Sequence, residues 1–138
     1  MAQPSYHTSL LGFTTATFAN ANAVVSIIPI LAGLNTIARP ASGLSLLGFV
    51  APPQPEAQKL IRSLLLMTGI RTATMGLTSL ALWSVGEYRS MGIAMLVNTS
   101  IAVVDGFVSR WQTGGGEWGH WAAAPVSLVL GAGLLGWI

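Results

Sequence analysis

The sequence predicts an all-α protein, a four-helix transmembrane bundle, and three observations carry that expectation. Hydrophobic residues make up 52% of the 138 and charged residues only 7%, whereas a soluble domain spends about a quarter of its residues on charge. Mean hydropathy is +0.66. The apolar residues gather into four stretches, each near the ~20 residues that a membrane-crossing helix requires. The chain is therefore read as a single integral membrane domain over 1–138, with helices over about 16–38, 56–84, 90–110 and 119–138.

In the first stretch no charged side chain precedes Arg39, and Val24, Val25, Ile27, Ile28, Ile30 and Leu31 fill the centre. Arg39-Pro40 ends it, because proline lacks an N–H and disfavours a helical residue before it. Pro29 predicts a kink inside the span. Ala19-Asn20-Ala21 resembles a signal-peptide cleavage site. However, the region before it has no Lys or Arg, and threonines dilute the Leu10 to Phe18 stretch, so a retained span is the preferred reading. The connection after Pro40 carries Leu44, Leu46, Leu47, Phe49 and Val50, which suggest a short interfacial piece before the rigid Pro52-Pro53-Gln54-Pro55.

Glu56 suits the N-terminus of the second helix, where the dipole favours an anion, and Trp83 suits its interfacial end. Gly86-Glu87-Tyr88-Arg89 reads as a tight turn. The third helix is apolar from Met91 to Val108 except for Asn98, Ser100 and Asp105, and Arg110-Trp111 marks its end. Gly114-Gly115-Gly116 leads to the fourth helix. Small residues such as Gly69, Gly76, Gly92, Gly131, Gly133 and Gly136 suit close helix packing in lipid.

Charge decides orientation and excludes some partners. Arg39, Lys59, Arg62 and Arg110 flank two loops that share a side, against Arg89 on the other, so the positive-inside rule puts those loops in the cytoplasm and both termini across the membrane. Six basic residues against four acidic ones are too few and too scattered for a nucleic-acid footprint. There is no Cys, which removes disulfides, thiolate metal sites and Cys nucleophiles.

An ionisable side chain in hydrocarbon costs ~2.5–3.5 kcal/mol on insertion scales, which makes it a functional candidate by default. Arg71 lies eleven residues past Leu60, or ~16 Å along a helix, near the bilayer midplane. Asp105 lies in the third helix at a depth an arginine can reach, and Asn98 sits two turns earlier on the same face. His120 opens the fourth helix with Glu117 three residues before it and Trp118 and Trp121 beside it, and Asn35 stands at the matching end of the first. The expected site takes Asp105, His120 and Arg71 as catalytic groups, with Asn98, Asn35, Trp121, Trp118 and Glu117 around the substrate.

Plainer readings stand beside this one. Arg71 and Asp105 can be a buried pair that only sets helix register, although such pairs add little net stability. His120 can be interfacial, Trp111, Trp118 and Trp121 an aromatic belt, and Arg62, Glu87, Arg89 and Arg110 surface and topology charges. Asn20 and Asn22 are expected to bond between helices. No metal is expected from His120 and separated carboxylates, since zinc needs three or four close ligands. No phosphate-cradling loop or G-x-G-x-x-G appears, so no cofactor is expected.

Proton transfer is the chemistry that remains: a carboxylate held by an arginine, near an imidazole, in a low-dielectric pocket. It suits epoxide opening in a lipophilic substrate, by hydrolysis or cyclisation. In that scheme Asp105 deprotonates the nucleophile, His120 donates to the departing oxygen, Arg71 holds Asp105 ionised and Asn98 orients water. The alternatives are an isomerase or cyclase acting without an epoxide, a small transporter or channel subunit using Arg71 and Asp105 as a relay, which would need a homo-oligomer to enclose a path, and a structural or scaffolding membrane subunit.

Gly69-Ile70-Arg71, Trp83, Met91-Gly92, Val104-Asp105-Gly106, Gly119-His120-Trp121 and Ala124-Pro125 resemble a small four-helix integral membrane family of fungi and some bacteria, catalogued as a domain of unknown function. The resemblance runs from about Ala19 to the end of the sequence. It implies a place beside fungal polyketide and terpenoid biosynthetic enzymes, hence an enzyme, in a membrane such as the endoplasmic reticulum. Where the family's arginine is commonly followed by an acidic residue, Thr72 stands, which leaves Asp105 as the single deep carboxylate.

Overall fold

The computed structural model describes residues 12–138, so Leu10 and Leu11 of the stretch weighed as a signal core lie outside the described residues. In chain order the helices are α1 (Thr15–Val25), α2 (Ile27–Ala38), α3 (Pro40–Leu46), α4 (Pro55–Ser84), α5 (Tyr88–Thr113), α6 (Trp118–Trp121) and α7 (Ala124–Leu135), with no β-strand among the described residues. They form four helical stretches long and apolar enough to cross a membrane: Thr15–Ala38, Pro55–Ser84, Tyr88–Thr113 and Trp118–Leu135.

Prolines and glycines place the interruptions. Pro29 cannot donate to the carbonyl of Val25, four residues back, and its ring crowds that carbonyl. The first span accordingly breaks at Ser26, whose N–H and Oγ both donate to Asn22 O, at 2.8 and 2.7 Å. The expected kink is therefore a break three residues before the proline. Pro125 acts in the same way on the carbonyl of Trp121, splitting the fourth span, expected as one helix, into α6 and α7. The interfacial piece begins sooner than expected, since Pro40 both ends α2 and sits in the first turn of α3. Gly114, at φ 73°, takes the left-handed position that closes α5.

The spans pack as two pairs. Gly33, Gly69, Ala73 and Gly76 bring α2 and α4 into backbone contact, and a Cβ on Gly76 would lie 2.6 Å from Ile30 Cγ1. Gly92 and Gly131 do the same for α5 and α7, where a Cβ on Gly92 would lie 2.9 Å from Leu134 Cβ. The pairs join through α1: Phe18 and Ala19 bury themselves with Met91, Met95, Leu130 and Leu134, close to Leu82, Tyr88 and Ile138. By contrast α2 comes within packing distance of neither α5 nor α7. The bundle is thus closed by an apolar core at the α1 end and loosens toward the basic end.

Candidate functional site

Arg71 stands on the loosened half. It follows Gly69 by two residues, a rotation of ~200°, so the glycine face that meets α2 turns Arg71 away from α2 and toward the seam with α5. There Arg71 Nη2 donates to Asp105 Oδ2 at 3.3 Å. Their side chains are 51% and 36% exposed, so the ion pair lines an open seam and is not sealed in a core. The contact is single. It leaves most of the guanidinium's five N–H donors and the second carboxylate oxygen without a partner among the described residues. Asn98 is half-buried on the same face of α5, two turns from Asp105, with its amide unbonded among the described residues. On α4, Thr72 Oγ1, next to Arg71, donates back to Thr68 O at 2.9 Å.

The remaining expected site residues lie elsewhere. Trp121, not His120, packs on α5: its Nε1–H donates to Val103 O at 3.1 Å, and its ring covers Gly106 and meets Phe107 edge-on at 5.0 Å. His120 is one residue away, ~100° round the helix, half-buried, and joined by no side-chain hydrogen bond or ion pair among the described residues. Its backbone N–H donates to Glu117 O at 3.0 Å. The carboxylate of Glu117 turns instead to Arg110, at 2.6 Å. Asn35 Nδ2 donates to Ser42 Oγ at 3.5 Å, toward α3. Trp118 is exposed and meets Trp121 edge-on. The structure therefore brings together Arg71 and Asp105, with Asn98 on the same face as Asp105, and does not join His120, Asn35, Glu117 or Trp118 to them.

Two features depart from the sequence reading, which made Arg110 a surface charge and expected Asn22 to bond between helices. Arg110 holds a buried carboxylate: Glu117 Oε1 bonds to it, while Oε2 is buried with no partner among the described residues. A basic residue and an acidic one at either end of a glycine-rich turn are the signal that was available. Asn22 is fully buried on α1 with neither amide atom bonded among the described residues, although Asn20 does bond between helices, accepting from Trp83 Nε1 at 2.9 Å. A cavity of about 580 Å³ lies between α3, the linker and the start of α4, and one of about 320 Å³ lies beside Arg89, Leu96 and Trp137; neither is lined by Arg71, Asp105 or His120. No three His, Asp or Glu side chains gather into a metal-binding group among the described residues.

Two close-packed helix pairs, four membrane-length spans and one ion pair across an intramembrane seam define the class: a small four-span integral membrane protein with a polar centre between its halves. The chain belongs to the family described as a domain of unknown function, DUF4267, whose model matches residues 26–134. Neither the curated proteins nor the solved structures include a significant match to it.

Proposed function

We propose that the protein is a membrane-embedded, cofactor-independent acid-base enzyme that opens an epoxide in a lipophilic polyketide or terpenoid, by hydrolysis or cyclisation, at the Arg71–Asp105 seam. The supporting observation is that a charged pair on two membrane-length helices is left half-exposed, with most of the guanidinium donors and one carboxylate oxygen without a partner among the described residues. A pair kept only for helix register is better served by burial and full hydrogen bonding.

Asp105 accepts the proton of water, or of a hydroxyl on the substrate, as that oxygen bonds to an epoxide carbon. The epoxide C–O bond breaks, and Arg71 N–H groups hold the oxygen as it becomes an alkoxide. Asp105 then returns the proton to that alkoxide, so hydrolysis consumes one water and cyclisation none. Asn98, on the same face, orients the nucleophile. His120, unconnected to the pair, has no step. In the same reading the basic loops are cytoplasmic, both termini lie across the membrane, and the membrane is that of the endoplasmic reticulum in a fungal secondary-metabolite pathway. The four-to-one basic bias and the family resemblance support these points.

Incubation of the protein in lipid nanodiscs with long-chain and terpenoid epoxides, followed by mass spectrometry of the products, tests this reading. Diol or cyclic ether, lost in both Asp105→Asn and Arg71→Met, is the expected result. An Asp105→Asn protein with full turnover overturns it. So does proton or solute flux across proteoliposomes that needs the pair while no epoxide is consumed.

A further inference from the structure

The cavity of about 580 Å³ at the basic end is separate from the Arg71–Asp105 seam and has a composition of its own. Its lining is largely apolar, with Leu44 of α3 and Leu65 of α4 buried and Ile61 of α4 half-buried. Its polar lining comes from α4. Gln58 is already engaged, its Nε2 donating to Pro52 O at 2.9 Å. Lys59 and Arg62, three residues apart and so on adjacent turns of one face, line the cavity with no ion-pair partner among the described residues. No acidic side chain lines it among the described residues, and Glu56, exposed in the first turn of α4, is the nearest in sequence.

Depth follows from helix length. The 30 residues of α4 span ~45 Å, against a hydrocarbon thickness of ~30 Å, so about ten residues stand outside the apolar layer. The contact of Gly33 with Gly69 fixes the antiparallel register of α2 and α4. It sets Arg39, where α2 ends, level with the turn of α4 that holds Arg62. With the residues outside the apolar layer split equally between the two ends of α4, Lys59 stands at the edge of that layer and Arg62 within one turn of it, from where both long side chains reach the headgroups, and the apolar wall runs from them toward the acyl layer.

We infer that this cavity binds an acidic glycerophospholipid, its phosphate held by Lys59 and Arg62 and the upper part of one acyl chain laid along Leu44 and Leu65. The volume is within the ~300–1,000 Å³ of small-molecule sites. Two unpaired cations facing an apolar wall, with no anion in the lining, complement an anionic amphiphile. They disfavour a phosphocholine, whose own cation would meet Lys59. The site is independent of the catalytic reading and stands or falls without it.

The test is native mass spectrometry of the protein extracted from vesicles of equal parts phosphatidylglycerol and phosphatidylcholine. Wild type is expected to retain one phosphatidylglycerol, enriched roughly tenfold over phosphatidylcholine, as two basic groups at an anionic surface allow. The enrichment is expected to vanish in Lys59→Gln/Arg62→Gln. It is also expected to vanish in Ala51→Phe or Ala41→Phe, which fill the cavity and keep the charges, and to persist in Arg89→Gln at the opposite end. Circular dichroism confirms that each variant scored is helical. Equal retention of the two lipids by wild type overturns the inference. Enrichment that survives both filling variants also overturns it, because attraction is then diffuse. Displacement of the lipid by millimolar inorganic phosphate overturns it as well, because the site is then one for a free anion.

Discussion

Gly33 of α2 and Gly69 of α4 meet backbone to backbone: a Cβ on Gly33 would strike the carbonyl of Gly69, and one on Gly69 would lie 2.8 Å from the carbonyl of Gly33. In lipid there is no hydrophobic drive to bring helices together, so close packing of small residues has to supply the attraction.

Gly33→Ala and Gly69→Ala are each expected to destabilise the protein by about 1–3 kcal/mol, the usual penalty of overpacking, because backbone cannot move aside as a flexible side chain does. Gly119→Ala is the control, since nothing lies within 4 Å of a Cβ there. SDS titration of the three proteins in mixed micelles reads the difference.

Asp105→Asn is expected to separate stability from turnover. The pair is joined by a single contact and the substituted amide oxygen can still accept from Arg71, so the arginine is not stranded and the loss is of the order of the ~0.6 kcal/mol that an interhelical polar contact contributes in lipid. Removing a general base costs about a hundredfold or more in rate. Unfolding midpoints measured beside epoxide consumption check both parts, and a large stability loss would mark the pair as a structural clasp.

Gly106→Ala would drive a Cβ into the indole of Trp121. The ring has to leave, breaking its 3.1 Å bond to Val103 O and exposing the indole. A red-shifted emission attributable to Trp121 is expected, absent when Gly106→Ala is combined with Trp121→Phe.

Arg110→Gln is expected to cost more than Glu117→Gln. The first leaves a buried carboxylate, already unpartnered at Oε2, with no counter-charge. The second leaves a mostly exposed arginine that water can hydrate. Stranding a buried acceptor costs on the order of 1–3 kcal/mol or more when it is charged, and thermal unfolding of the two variants gives the order.

Asn22→Leu is expected to stabilise. The amide is fully buried with no partner among the described residues, and leucine, which has the same branched skeleton in a bulkier form, removes a desolvation penalty of about 1–3 kcal/mol. A lower unfolding midpoint for Asn22→Leu would mean that the amide is satisfied in the membrane, for instance by a bound water.

The amino-acid order by itself determined the apolar character of the chain, the number of membrane-length spans and the position of each polar residue along its span. These depend on hydropathy and on the fixed rise per residue, which place a residue along one axis. That is why Arg71 and Asp105 were legible as partners: each is too expensive in hydrocarbon to stand alone, and their depths match. Only the tertiary structure decided what faces what around that axis. One residue is ~100° of rotation, enough for Trp121 to reach α5 and His120 not to. Pairing of the spans was likewise hidden, because small residues occur on every helix and any of them can offer a close approach. The choice of Gly33 for Gly69 and of Gly92 for Gly131 is made by fit between surfaces, which exists only once the helices are together.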